Sequence, residues 1–267
     1  MRTTADPDAL PTSPAPARVE RDVLRALRDS TLPAVDLHLP TGSTTHCPLV
    51  VDVSGHARSD DHHTARWASA LAAHGLAVAA VRTLGPARRD IAPHTVRTLV
   101  RLLRSNGTPH GPATDRIALF GHGDGAHLAA LAAYGTVDTR SRVQALAGVA
   151  GSWGADLTPD PDARRRTAVR RHPDAEVLHQ VSEIALATGN DVPLLVVHRP
   201  DDPNVPAEHG VRFAQVVTAA GGRASVLLGD TGREPAAVPE TVAAVAAFFH
   251  RVLGDTTATA TARRTSR

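Results

Sequence analysis

Short apolar runs alternate with longer amphipathic ones along most of this chain, and that alternation sets the predicted elements. The runs Val35–Leu39, Leu49–Val53, Ala77–Val81, Arg116–Phe120, Val143–Val149, Leu194–His198 and Ala224–Leu228 are brief and rich in Val, Leu and Ala, as strands buried on both faces are. Between them, His63–His74, His94–Arg104, Gly125–Tyr134, Ala207–Ala220 and Val238–Leu253 read as helices. Strands separated by helices predict an α/β fold, a mostly parallel twisted sheet with helices on both faces. Residues 154–190 break the rhythm with Asp-Pro-Asp, an arginine cluster and His-Pro-Asp, and read as a lid-like excursion over one end of the sheet. Residues 1–18 and 255–267 lack periodicity and are expected to be disordered, which leaves 19–254 as one domain.

One junction carries the functional signal. The run Arg116-Ile117-Ala118-Leu119-Phe120 ends in Gly121-His122-Gly123-Asp124-Gly125 and passes directly into Ala126-His127-Leu128-Ala129-Ala130-Leu131. Alternating glycines between a strand and a helix make a sharp turn with the shape of a nucleophile elbow. That elbow is written Gly-x-Ser-x-Gly, its middle residue held at strained angles that aim a hydroxyl over the sheet end. Here the middle residue is Gly123. The string resembles the Gly-His-Ser-Ala-Gly-Gly-His-Leu-Ala elbow of small carboxylesterases and lipase-like members of the α/β-hydrolase family. It matches at Gly121, His122, Gly125, His127, Leu128 and Ala129, while Gly123 and Asp124 replace Ser-Ala.

The resemblance implies the α/β-hydrolase fold and a triad in the chain order Ser, Asp, His. For the acid, His198-Arg199-Pro200-Asp201-Asp202-Pro203-Asn204-Val205-Pro206 is similar to the family string His-Gly-x-x-Asp-x-x-Val-Pro, which places Asp202 at the acid position. The competing reading makes Asp201 and Asp202 turn caps ahead of a helix starting at Pro206. For the base, the family histidine follows the last strand, where this chain has Gly232 and Arg233. His250 comes later, near the end of the last helix, where the helix dipole favours it. For the oxyanion hole, Ser54, Gly55, His56 and Ala57 stand where the family has His-Gly-Gly-Gly, and the second donor is the backbone N–H of Asp124. A carboxylate there opposes the charge that acyl transfer develops. As structure, the changes are benign: glycine tolerates the elbow angles, and Asp124 is expected to cap the helix.

These substitutions imply a family member that has lost ester hydrolysis, a pseudoenzyme whose crevice, lined by Ser54, Gly55, His56, His122 and Asp124, takes a small apolar or acyl-like ligand or a protein partner. Two enzymatic alternatives stay open. One is a lyase, isomerase or cyclase working through Asp202, His122 or His56. The other is a hydrolase with an unusual nucleophile, for which Asp124 lies one residue past the family position. Ser152, in Gly151-Ser152-Trp153, reads as a loop or pocket residue without a visible base.

Composition narrows the rest. The chain has 29 basic residues, 27 acidic ones and no lysine, so its pI of 9.4 follows from arginine and not from a nucleic-acid surface. The cluster Arg164-Arg165-Arg166 with Arg170-Arg171 reads as a solvated helix face. His56, Asp60, Asp61, His62 and His63 fit a solvated loop better than a metal cage, and neither metal nor cofactor is expected. A single cysteine, Cys47, no apolar signal core and no membrane-length apolar run point to a cytoplasmic protein without membrane contact. Oligomeric state is not legible.

Overall fold

A computed structural model of the chain describes residues 18–26, 32–41, 47–53, 61–82, 93–108, 111–135, 138–151, 153, 191–202, 205–229 and 238–254. The strands are β1 (Arg18–Glu20), β2 (Ala34–Leu39), β3 (Pro48–Asp52), β4 (Ala77–Arg82), β5 (Ala113–His122), β6 (Ala145–Val149), β7 (Leu194–His198) and β8 (Ala224–Leu228). The helices are α1 (Asp61–Ala73), α2 (Pro93–Asn106), α3 (Asp124–Tyr134), α4 (Ala207–Ala219) and α5 (Pro239–Leu253), with a short 3-10 turn at Thr139–Ser141. The strands form one sheet in the order β1-β2-β4-β3-β5-β6-β7-β8. β1 with β2 and β2 with β4 are antiparallel, and every other pair is parallel.

Side chains alternate across each strand, so a run that is apolar throughout feeds a core on both faces. Leu49, Val51, Ile117, Leu119, Leu194 and Val196 join the core beneath α2, α3 and α4. Val50, Ala118, Phe120, Ala147, Leu195 and Val197 join the one beneath α1 and α5. α3 packs against β5 and β6 because Ala126, Ala129, Ala130 and Ala133 are small enough to bring its backbone close.

Trp153 anchors the chain beyond β6. It is fully buried and stacks on Phe213 of α4, ring centroids 5.2 Å apart. Its slot is cut by glycines. A Cβ on Gly148 would overlap the indole, and one on Gly151 would lie 2.5 Å from Nε1. Gly210, inside α4, is needed for a related reason, since a Cβ there would stand 2.6 Å from Val196 Cγ1.

The predicted strands and helices are present with shifts of a few residues at their ends. β1 is additional: its three residues are too few for a period, and it overlaps the terminal segment expected to lack order. The excursion at 154–190 and the segment 255–267 lie outside the described residues, as does the arginine cluster. Among the described residues, no helix is long and apolar enough to cross a membrane.

Candidate active site

The parallel strands β3 to β8 point their carboxyl ends the same way, and the described candidate positions His122, Gly123, Asp124 and Asp202 gather at that edge because the chain turns there after the strands. β5 ends at His122 and α3 begins at Asp124, so Gly123 makes the whole turn. Its backbone has φ 56° and ψ −127°, the left-handed region that glycine enters without a Cβ penalty. The turn is held from both sides: Gly123 N–H donates to Val149 O of β6 at 2.9 Å, and Gly123 O accepts from Ala126 N–H at 3.1 Å. Gly121 is obligatory, because a Cβ there would run into the Gly125 carbonyl. At Gly123 a Cβ would meet nothing within 4 Å. The elbow therefore keeps its strained geometry, with open space where a nucleophile's side chain would project.

Gly123 is itself the N-cap of α3, with no side-chain cap bond, and Asp124 is the first helical residue. This corrects the expectation that Asp124 caps the helix. The turn needs a positive φ at the cap position, and the aspartate falls one place later. As first helical residue, Asp124 presents an N–H that has no carbonyl four residues back within the helix. Gly123 N–H, already given to Val149, cannot serve as an oxyanion donor.

His122 is buried on the opposite face of β5 from Gly121, its ring centroid 5.8 Å from that of Trp67. Phe120 packs against the same Trp67 with its ring tilted by 39° and centroids 5.1 Å apart, so the imidazole extends an aromatic cluster beneath α1. His127 is buried within α3. Asp202 lies past the end of β7, where Oδ1 accepts the Val205 N–H at 3.0 Å and its own N–H donates to Arg199 O at 3.3 Å. Asp202 thus acts as a turn cap, an aspartate whose carboxylate fixes the approach to α4. Asp201 pairs instead with Arg199, at 2.8 Å, on the surface. After β8 the chain leaves at Gly229, whose N–H is tied to His198 O at 3.0 Å. Gly232 and Arg233 lie beyond that point, outside the described residues, as do Ser54, Gly55, His56, Asp60 and Ser152. His250 falls in the last turn of α5, and Nε2 stands 2.7 Å from His74 O, linking α5 to the end of α1.

Two buried polar groups at this edge were not singled out from sequence. His198, fully buried at the end of β7, sets Nε2 3.1 Å from Gly151 O and thereby fastens β7 to the turn that leads into Trp153. Asp52, fully buried at the end of β3, lies level with Phe120 on the face that also carries His122. The alternation of the runs could have flagged both, since each puts a polar residue at a core-facing strand position.

The described serines and the single cysteine stand away from the elbow. Ser105, Ser141 and Ser225 lie toward the amino-terminal edge of the sheet. Cys47 precedes β3 at that same edge, and burial raises its thiol pKa, which keeps it protonated. Ser69 of α1 does meet an imidazole: its Oγ is 3.0 Å from His38 Nδ1, and Asp36 is two residues away on the same face of β2. Yet His38 lies level with Ala118, about 16 Å down the strand direction from Gly123 and roughly 14 Å across three strand spacings. The Asp36 carboxylate is committed to Arg21, Arg82 and the Asp22 N–H. This trio ties β2 to α1 and lies away from the elbow. Among the described residues no cluster of His, Cys, Asp and Glu could hold a metal ion.

Comparison with known proteins agrees with the geometry. Residues 35–150 match the model of the BD-FAE family, an α/β-hydrolase-like esterase family. Esterase B from Lactobacillus rhamnosis, solved with a tributyrin phosphonate inhibitor, superposes with a TM-score of 0.70 at 18% identity, covering 90% of this chain and 87% of that one. A truncated carbohydrate esterase from gut microbiota superposes at 0.68 and 17% identity, covering 92% and 100%. An esterase of the planctomycete Thermogutta terrifontis gives 0.64 and 17%, covering 88% and 92%. No curated protein is significantly similar in sequence.

Proposed function

This chain has the α/β-hydrolase fold and esterase-like relatives, and from that premise we propose that it is a non-hydrolytic member, a pseudoenzyme whose crevice holds a small apolar or acyl-like ligand without forming an acyl-enzyme. One observation carries the reading: the elbow at Gly123 keeps the backbone that presents a nucleophile, φ 56° and ψ −127°, and presents no side chain. Acyl transfer needs an atom to attack the carbonyl and a base to take its proton. The elbow supplies no attacking atom, and the sequence has Gly232 and Arg233 where the family's base would be.

What remains supports binding. Helix α3 begins at the crevice with the positive end of its dipole, which suits a carbonyl or carboxylate oxygen. The aromatic pair Trp67 and Phe120 walls the adjacent core. In this reading binding takes place in the cytoplasm and involves neither metal nor cofactor.

The decisive experiment exposes the full chain to a fluorophosphonate probe and to p-nitrophenyl esters. The expected result is no covalent adduct and no turnover above that of the heat-denatured protein. Stoichiometric labelling of any serine would overturn the proposal. A companion variant, Gly123→Ser with Arg233→His, restores both missing groups, and on this reading it gains the labelling that the parent lacks.

A further inference from the structure

At the edge of the sheet opposite the elbow, a rigid turn holds two arginines out to solvent. α3 spans about 16 Å and delivers the chain from Gly123 to the amino-terminal ends of β5 and β6. There the 3-10 turn Thr139–Ser141 is fixed from three directions. Asp138 caps it, with Oδ1 accepting the Arg140 N–H at 3.0 Å. Ser141 is buried and donates from Oγ to Asp138 O at 3.1 Å. Arg104, in the last turn of α2, donates from a terminal nitrogen to Arg140 O at 2.5 Å and from Nε to Thr114 O at 3.2 Å, so the turn is tied to α2 and β5 together. Ser141 and Val143 face inward, and Arg140 and Arg142, which alternate with them, are exposed.

The fold itself calls for neither guanidinium. Arg101 and Arg104 lie toward the end of α2, where cations complement the helix dipole; Arg104 is committed to two carbonyls, and Arg101 leans on Asp138 at 3.6 Å. Arg140 and Arg142 stand outside any α-helix, and among the described residues no acid pairs with their side chains. Asp115 and Asp138 both lie close enough to act on the Arg104 charge, so the patch sets four arginines against two aspartates. Its net of +2 equals that of the whole chain. The adjoining segments 109–110 and 136–137 are Pro-His and Thr-Val, and bring no acid to it. A guanidinium fork takes a carboxylate by two bonds at once, and a turn already held in place gives up little freedom on binding. Aspartates set among the arginines repel the unbroken charge of a phosphate backbone. A protein segment can match such a mixed pattern.

We propose that this turn docks an acidic protein segment, with carboxylates on Arg140 and Arg142, at an edge whose occupation leaves the elbow uncovered. The test uses the full chain and fluorescein-labelled poly-L-glutamate, read by anisotropy at about 50 mM salt, where screening is weak. The expected result is saturable binding that is lost by about 500 mM salt. Arg140→Glu with Arg142→Glu should weaken it by at least about tenfold. Both side chains are exposed, so the circular dichroism spectrum should stay as it is. Arg66→Glu with Arg212→Glu makes the same change of net charge on exposed positions of α1 and α4, and should leave the affinity within about threefold of the parent. Absence of binding, or equal weakening by the two pairs of substitutions, would overturn the proposal. So would tighter binding of a single-stranded oligothymidylate of equal charge, which would assign the turn to nucleic acid instead.

Discussion

A side chain added at Gly123 finds space but pays in backbone strain, whereas one added at Gly148 has neither problem of angle nor room to exist. At Gly123 the positive φ sets a cost of about 1–3 kcal/mol for any L-residue, and the empty surroundings add no clash. Gly123→Ala and Gly123→Ser should therefore lose similar amounts of stability in urea unfolding and stay folded. At Gly148 the new methyl would overlap the Trp153 ring and lie 2.8 Å from Ala126 Cβ, both part of a packed core. Gly148→Ala should cost as much as overpacking does, about 1–3 kcal/mol or more, and should also shift Trp153 fluorescence, which the Gly123 variants leave alone. The two glycines look alike in sequence, since each lies near the end of an apolar strand. What separates them is a tryptophan close in sequence to one and folded back over it.

Elements were legible where a period ran long enough to be seen. Strands β2 to β8 and the five helices of the described residues follow from it, while β1, three residues paired only at the sheet edge, offered no pattern to read. The contact between β2 and α1 was equally hidden, because it rests on one imidazole meeting a hydroxyl across 31 residues of sequence. That contact has a pH signature. Burial, against the attraction of Asp36, holds the His38 pKa down at about 4, so the folded chain keeps this ring neutral. The unfolded chain takes up the proton near 6.5, so between those values it binds more protons than the folded state and stability falls as pH is lowered. The full loss is about 3 kcal/mol, reached near pH 4 and absent above about pH 7. Urea unfolding of the parent and of His38→Asn at about pH 7 and pH 4.5 checks this: the variant should lose the part of the slope that belongs to His38.

For the molecule as a whole, a single sheet separates two cores, and each core has one of the two tryptophans. Trp153 lies with α3 and α4, Trp67 with α1 and α5. Strands β3 to β7 each feed both sides, so neither core can dissolve while the sheet stands. Trp67→Phe and Trp153→Phe leave one reporter each, and in either variant the fluorescence and far-ultraviolet dichroism transitions in urea should coincide; separate midpoints would show that the faces unfold independently. Gly123 and Asp202, the positions expected for the elbow and the acid, follow β5 and β7 and so lie at a common edge, as the order of motifs along the chain implied. That order did not supply His198 or the Trp153 slot, since both depend on which strand ends become neighbours. The same holds for the N-cap of α3, where one residue of register separates an aspartate that caps from one that follows the cap.

The bond from the Gly123 amide to Val149 has an evolutionary corollary. The turn is clamped by its neighbours, so the fold imposes no requirement for a hydroxyl at residue 123. Serine and glycine can therefore exchange at this position in either direction without forfeiting the scaffold.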